Sequence, residues 1–327
     1  MRTDTSKRII EHISKNKQAT AKELVDYLEI SRQALFKHLS QLLKNNQIYK
    51  VGKPPKVFYF VQKKEVSKIN DITEINNATK KIIEENYLMI TSAGVRKNGL
   101  KGFIFWCQKT KQPIQKTAKE YVKTLKKYNA FQKAGFINGM AKIKTTFPQV
   151  YLDNLFYLDF YSIERFEKTK LGQMLLYAKQ SQNKILIKEL ILNIKPQAER
   201  LIKKYKIDGV GFIPPTVKRE TQFIREMEKG LGLDLRKIPV TKIKTEIAVP
   251  QKTLNKLPDR IENAQKTIIV EENKKYKNIL LIDDAVGSGA TLNETAAQIK
   301  AKKICQGKII GLAITGSFKG FDVISEV

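Results

Sequence analysis

Two cysteines, two histidines and one tryptophan in 327 residues leave little material for redox, disulfide or metal chemistry. Cys107 and Cys305 cannot build a disulfide framework or a four-ligand zinc site, and two histidines add no catalytic metal cluster. A reducing, cytoplasmic compartment is expected. No run approaches the roughly 18 apolar residues of a membrane span. Met1-Arg2-Thr3-Asp4 leads into a charged helical pattern rather than the apolar stretch of a secretory signal, so neither export nor a membrane partner is expected. Acidic residues are scarce too, 32 against 61 basic ones, for a net charge of +29. Arginine supplies only ten of those basic residues. The excess spreads along the chain, with +8 over 1–66, +13 over 67–200 and +8 over 201–327. An anionic partner and a lysine-biased coding sequence both account for it.

The length predicts two or three domains. Residues 1–66 read as three helices and a hairpin. Ile9, Ile10 and Ile13 give the first helix an apolar face, Thr20 caps a second helix, and Ser31 caps a third that runs to about Asn45. Gln47 to Val51 and Val57 to Val61 read as strands around the turn formers Gly52, Pro54 and Pro55. Residues 62–83 read as a polar linker. Within 67–150, the apolar runs 87–90 and 103–106 suggest a small hairpin, Trp106 reads as core, and a helix is expected from Thr117 to about Tyr128. Over 151–327 the expected order starts with a helix. Strands follow at Gly209 to Ile213, Arg236 to Val240, Asn278 to Ile282 and Lys308 to Thr315, with helices at Arg219 to Gly230 and Thr291 to Lys303. Alternation of this kind predicts a parallel sheet with ligands at its carboxyl ends.

The run from Thr20 to Leu43, followed by the hairpin, resembles a winged helix-turn-helix over residues 5–62. Ala21, Leu24, Ile30, Leu35, Leu39 and Leu42 would lock the helices together. Ser31, Arg32, Gln33, Lys37 and Gln41 would then face a major groove, with Arg32 and Gln33 reading base edges. Lys37, Lys53 and Lys56 would neutralise phosphates of double-stranded DNA. Bundles that contact only protein share much of this pattern. His38, beside apolar positions, reads as a packing residue.

The most specific stretch is 278–291, in which an apolar strand ends in Asp283 and Asp284, turns through Gly287 and Gly289, and opens a helix at Thr291. Backbone N–H groups over 287–291 and a helix N-terminus can cradle a monophosphate, while the carboxylates accept hydrogen bonds from ribose hydroxyls. The acidic pair precedes the glycines and no G-x-G-x-x-G or Gly-Lys-Ser/Thr is present, which excludes a dinucleotide fingerprint and a Walker A loop. The stretch resembles the 5-phosphoribosyl 1-pyrophosphate (PRPP) motif of type I phosphoribosyltransferases, with Ala285 in place of a larger aliphatic and Gly287 in place of Thr or another small side chain. Gly287, Ser288, Gly289, Ala290 and Thr291 would hold the phosphate.

The resemblance extends toward the ComF-like, competence-associated branch of that fold over about 155–327. Gly172 to Lys179 is similar to its helix before the sheet, Val210 to Arg219 to its strand and pyrophosphate loop, and Gln251, Arg260 and Asn263 to its flexible loop. That branch's cysteine-rich zinc ribbon has no counterpart here. The resemblance implies that Thr216, Lys218 and Arg219 face a pyrophosphate and that Arg260 closes over it. It also implies that Asp283 and Asp284 are catalytic and candidate contacts of a magnesium ion brought with PRPP.

The expected class is therefore α/β: a winged helix-turn-helix (1–66), a small middle segment (67–150) and a parallel-sheet phosphoribosyltransferase-like domain (151–327). Three functions fit. The chain is a DNA-binding transcriptional regulator with PRPP or a nucleotide as effector, an active phosphoribosyltransferase, or a ComF-like factor in DNA uptake or processing. A homodimer suits a regulator, because paired half-sites raise affinity and specificity.

Overall fold

A computed structural model describes residues 5–62, 75–215, 217, 219–243, 246, 247, 249 and 251–318. It divides into two units, Met1–Asn70 and Asp71–Val327.

The first unit runs α1 (Thr5–Asn16), β1 (Ala19–Thr20), α2 (Ala21–Leu28), α3 (Arg32–Lys44), β2 (Ile48–Lys53) and β3 (Lys56–Val61). The three strands form an antiparallel sheet in the order β1-β3-β2. A reciprocal cap starts α2: the Glu23 N–H donates to Thr20 Oγ1 at 3.2 Å, and the Thr20 N–H donates to Glu23 Oε2 at 2.7 Å. Ile9, Ile13, Leu24, Leu35, Leu39, Leu42 and Tyr59 form its core, with Ala21 and Ile30 partly buried against them. In the β2–β3 hairpin, Gly52 has φ +99° and a Cβ there would lie 2.2 Å from the Lys56 carbonyl oxygen, so only glycine fits. His38 is partly buried, with Nδ1 3.1 Å from Ser6 Oγ.

The second unit is mixed α/β around a seven-stranded sheet. Its helices are α4 (Asn77–Asn86), α5 (Gly99–Lys109), α6 (Ile114–Asn129), α7 (Met140–Thr146), α8 (Lys170–Ser181), α9 (Lys184–Tyr205), α10 (Phe223–Leu231), α11 (Leu257–Thr267) and α12 (Ala290–Ala301). Two small antiparallel pairs stand outside the main sheet: β4 (Leu88–Ile90) with β5 (Arg96–Asn98), and β11 (Val240–Lys242) with β12 (Ile268–Val270). The main sheet has the order β10-β9-β13-β14-β8-β7-β6. These strands are β6 (Gln132–Lys133), β7 (Phe136–Asn138), β8 (Asn154–Phe160), β9 (Gly209–Phe212), β10 (Arg236–Ile238), β13 (Ile279–Val286) and β14 (Ile309–Gly316). From β10 to β8 all pairs are parallel, and β7 and β6 add an antiparallel edge.

The strand β13 explains the layering. Ile279 and Leu281 join the core with α6, α11 and α12, whereas Leu280 and Ile282 join the one with α8, α9 and α10. Alternating side chains thus bury both faces, as a continuous apolar strand in a parallel sheet requires.

Several sequence expectations change. Residues 103–106 are helical in α5, and the 87–90 run pairs instead with the polar strand Arg96–Asn98. Gly102 allows this switch: a Cβ there would meet the Lys97 carbonyl oxygen at 2.3 Å. The region after Tyr151 starts with the strand β8 rather than a helix, and α10 starts at Phe223, leaving Arg219 in a loop. The segment 75–150 shares the aromatic core of the sheet, where Tyr87, Phe103, Trp106, Tyr121 and Phe166 are in ring contact. Residues 63–74 of the expected linker lie outside the described residues, and α4 occupies 77–86.

Leu281 is fully buried at the centre of the sheet. Leu281→Ala is expected to lower unfolding stability by about 2–5 kcal/mol, measured by guanidinium denaturation. A loss below about 1 kcal/mol would contradict tight packing there.

Candidate functional site

The chain leaves β9 toward β10 on one side of the sheet and leaves β13 toward β14 on the other. The order therefore reverses between β9 and β13, where the crevice beyond the carboxyl ends is the preferred place for a ligand. A cleft of about 200 Å³ lies there. The loop after β9 lines it with Ile213, Pro214, Pro215, Val217 and Arg219, and the end of β13 lines it with Asp283 through Thr291. Lys179 from α8, Lys242 from β11, Gln251 and Arg260 complete the walls.

The acidic pair is held by lysines. Lys179 Nζ lies 2.6 Å from Asp284 Oδ2, and the two side chains are only 18 % and 15 % exposed. The Asp284 N–H donates to Asp283 Oδ1 at 2.8 Å. Burial, and then the negative charge of Asp284, hold the Asp283 carboxyl well above the ordinary carboxylate range, with Lys179 and Lys242 pulling the other way. Burial lowers the Lys242 ammonium to about 8, against the pull of Asp283.

The loop beyond β13 leads directly into a helix N-terminus. Gly289, at φ +85°, turns the chain into α12, and the Ala290 N–H donates to Ser288 Oγ at 3.3 Å. The Ser288 and Gly289 N–H groups have no acceptor among the described residues. They stand beside the positive end of the α12 dipole, which favours negative charge.

Arg260 lines the cleft from a buried position. It is 4 % exposed, in the first turn of α11, and a Cβ on Gly287 would sit 3.4 Å from its Nη1. Its Nε donates to the Leu254 carbonyl at 2.7 Å, while Gln251 Nε2 donates to the Arg260 carbonyl at 2.8 Å. Its Nη2 is buried without a hydrogen-bond partner among the described residues, and burial lowers the guanidinium pKa. A buried, unpaired donor of this kind is costly unless a ligand satisfies it. Asn263 Nδ2 donates to the Val249 carbonyl at 3.4 Å, ordering the same loop.

The cleft thus gathers Asp283, Asp284, Gly287, Ser288, Gly289, Ala290, Thr291, Arg219 and Arg260. Arg219 Nη1 donates to the Lys179 carbonyl, tying the loop after β9 to α8. Thr216 and Lys218 lie outside the described residues. Sequence reasoning missed Lys179 and Lys242 as wall residues. Lys179 closes the quoted helix run 172–179, but only tertiary structure brings it to Asp284. Among the described residues no group of three or more His, Cys, Asp or Glu side chains could hold a metal ion. Two adjacent carboxyl groups alone would leave a metal ion to take its other oxygens from elsewhere.

In the first unit, Arg32, Gln33, Lys37 and Gln41 lie exposed along α3, opposite buried Leu35, Leu39 and Leu42. Ser31 is spent locally as the cap, its Oγ accepting the Ala34 N–H at 3.2 Å. Lys53 and Lys56 pair across the end of the hairpin, and the Lys56 side chain is exposed. Phe36, 44 % exposed on the same helix, escaped the sequence reading.

A carboxyl whose folded pKa is raised stabilises the fold below its unfolded value and loses that contribution as pH rises toward the folded value. For Asp283 the loss starts near pH 4 and continues through neutrality. Asp283→Asn is therefore expected to gain stability over the parent by roughly 1 kcal/mol or more between pH 5 and 7.5, read from urea denaturation. A difference that stays constant with pH would contradict the raised carboxyl.

No family model and no curated protein matches the chain. Among solved structures it is similar to a hypoxanthine phosphoribosyltransferase from Staphylococcus aureus, at 18% identity over 39% of this chain and 74% of that chain. The TM-score is 0.23, a likeness too slight to carry an argument. Among the described residues no helix is long and apolar enough to cross a membrane.

Proposed function

We propose that the cleft binds 5-phosphoribosyl 1-pyrophosphate or a nucleotide, and that the first unit is a winged helix-turn-helix that binds double-stranded DNA. The protein then acts as a transcriptional regulator with the phosphorylated sugar as effector. The observation that carries the ligand reading is the meeting, in one cleft, of two carboxylates, the unpartnered Ser288 and Gly289 amides and the buried Arg260 guanidinium. Carboxylates accept from sugar hydroxyls while amides and guanidinium donate to phosphate, so a ligand bearing both groups satisfies the whole set. Magnesium, when bound with the diphosphate, supplies neutralising charge, and Asp283 and Asp284 are the side chains that would hold it. Arg219 and Lys242 add positive charge on the opposite walls.

The DNA reading rests on the exposed face of α3. Arg32 and Gln33 stand at the end of the helix that enters the groove, and Lys37 and Lys56 meet phosphates. Effector control requires that the ligand bind the DNA-competent and DNA-free states with different affinity. A second reading, phosphoribosyl transfer, is favoured by Lys179, Arg219, Lys242 and Arg260 lining one cleft, since a departing diphosphate needs that much compensating charge.

In calorimetry, the parent chain is expected to bind PRPP with magnesium, and Asp284→Asn to bind it at least about tenfold more weakly, about 1.4 kcal/mol. No binding by the parent would overturn the ligand reading, and turnover with pyrophosphate release over a panel of bases would favour transfer over regulation. In mobility-shift titrations with the DNA upstream of its own gene, Arg32→Ala is expected to lose sequence selectivity. Lys56→Ala should instead weaken all duplexes alike and lower the salt slope by about one. Equal binding of every duplex by the parent would exclude operator recognition through α3.

A further inference from the structure

The segment 67–150 had no function in the sequence reading, yet α7 touches the phosphate loop at two points. Lys142 Nζ donates to the Gly287 carbonyl at 2.5 Å and also to the hydroxyl of Ser317, which follows β14. Ser317 Oγ lies 3.3 Å from the same Gly287 carbonyl, and the Ser317 N–H donates to the Val286 carbonyl at 3.1 Å. One residue along, Ile143 Cδ1 lies 3.2 Å from where a Cβ on Gly289 would stand. Ser317 and Ile143 are buried, whereas Lys142 is partly exposed.

We infer that Lys142 is a positioning residue that sets the direction of the 287–288 peptide and so aims the Ser288 N–H into the cleft. The inference rests on the phosphate-ester reading of the site. A peptide group is planar and trans, so its C=O and its N–H point in opposite directions. Gly287 and Ser288 line the cleft, but Lys142 and Ser317 do not. Fixing the carbonyl toward them therefore turns the Ser288 N–H to the cleft side, where it has no acceptor among the described residues. Gly287 has no Cβ, so it imposes little preference of its own on the orientation of this peptide. A charge-assisted hydrogen bond from an ammonium is strong enough to select one orientation before a ligand arrives. Preorganised donors of this kind cost no rearrangement on binding. Ile143 packed on Gly289 limits the next peptide in the same way.

The test compares full-length parent, Lys142→Met and Lys142→Arg, with Lys142→Gln held as a substitute if the methionine variant melts early. Without ligand, the Ser288 amide resonance in ¹⁵N-edited spectra is expected to shift or broaden in Lys142→Met and to return toward the parent position in Lys142→Arg. In calorimetry with ribose 5-phosphate, Lys142→Met is expected to bind about tenfold more weakly, and Lys142→Arg within about threefold of the parent. An unchanged Ser288 amide in the methionine variant overturns the inference whatever the ligand result, as does unchanged ribose 5-phosphate affinity. If the parent itself fails to bind ribose 5-phosphate, the phosphate-ester reading falls while the Ser288 amide still decides the role of Lys142.

Discussion

The second unit depends on one strand that must be apolar on both faces and polar at its end. Residues 279–282 of β13 lie fully buried between two helical layers, and the chain then reaches the sheet's edge as two carboxylates. Beyond Ile282 the strand borders the cleft, because β9 and β13 send their connections to opposite sides of the sheet. The apolar residues fix the depth of the strand, and that depth fixes where Asp283 and Asp284 emerge. The raised Asp283 carboxyl and the depressed Lys242 ammonium share this origin: groups at the edge of a dry layer compete for a small amount of solvent.

Around that strand the site is assembled from distant sequence. Lys179 reaches Asp284 across 105 residues, and Arg260 approaches the phosphate loop from α11. Lys142 comes from α7, 145 residues before the carbonyl it holds. Each supplies positive charge to one short turn from a different direction. Electrostatics here is thus a property of the fold rather than of any local run, although a lysine-rich composition provides the material.

Much of the framework was legible in the residues themselves. Caps at Thr20 and Ser31, glycine and prolines at the hairpin turn and the apolar run 279–282 are local signals that a short window contains. The strand–turn–helix over 283–291 was legible for the same reason, since its acidic pair, glycines and helix start are consecutive. The strand β8 was not, because its aromatic and polar residues, Asn154 to Phe160, match a helix face as well as a strand buried on both sides. Residues 103–106 misled similarly: an apolar run reads as a strand until Gly102 lets the helix pack against Lys97. Lys242 and Lys142 carried no signal, and Lys179 only its place at the end of the run 172–179, until tertiary contacts single them out.

The ion pair between Lys179 and Asp284 has a further meaning for what can enter the cleft. A carboxylate already holding its own cation repels an anion less than a bare one, so the protein itself neutralises part of the cleft's negative charge. The lysine is thus a resident counterion, and any cation that would take its place on Asp284 must first separate a pair whose side chains are mostly shielded from solvent.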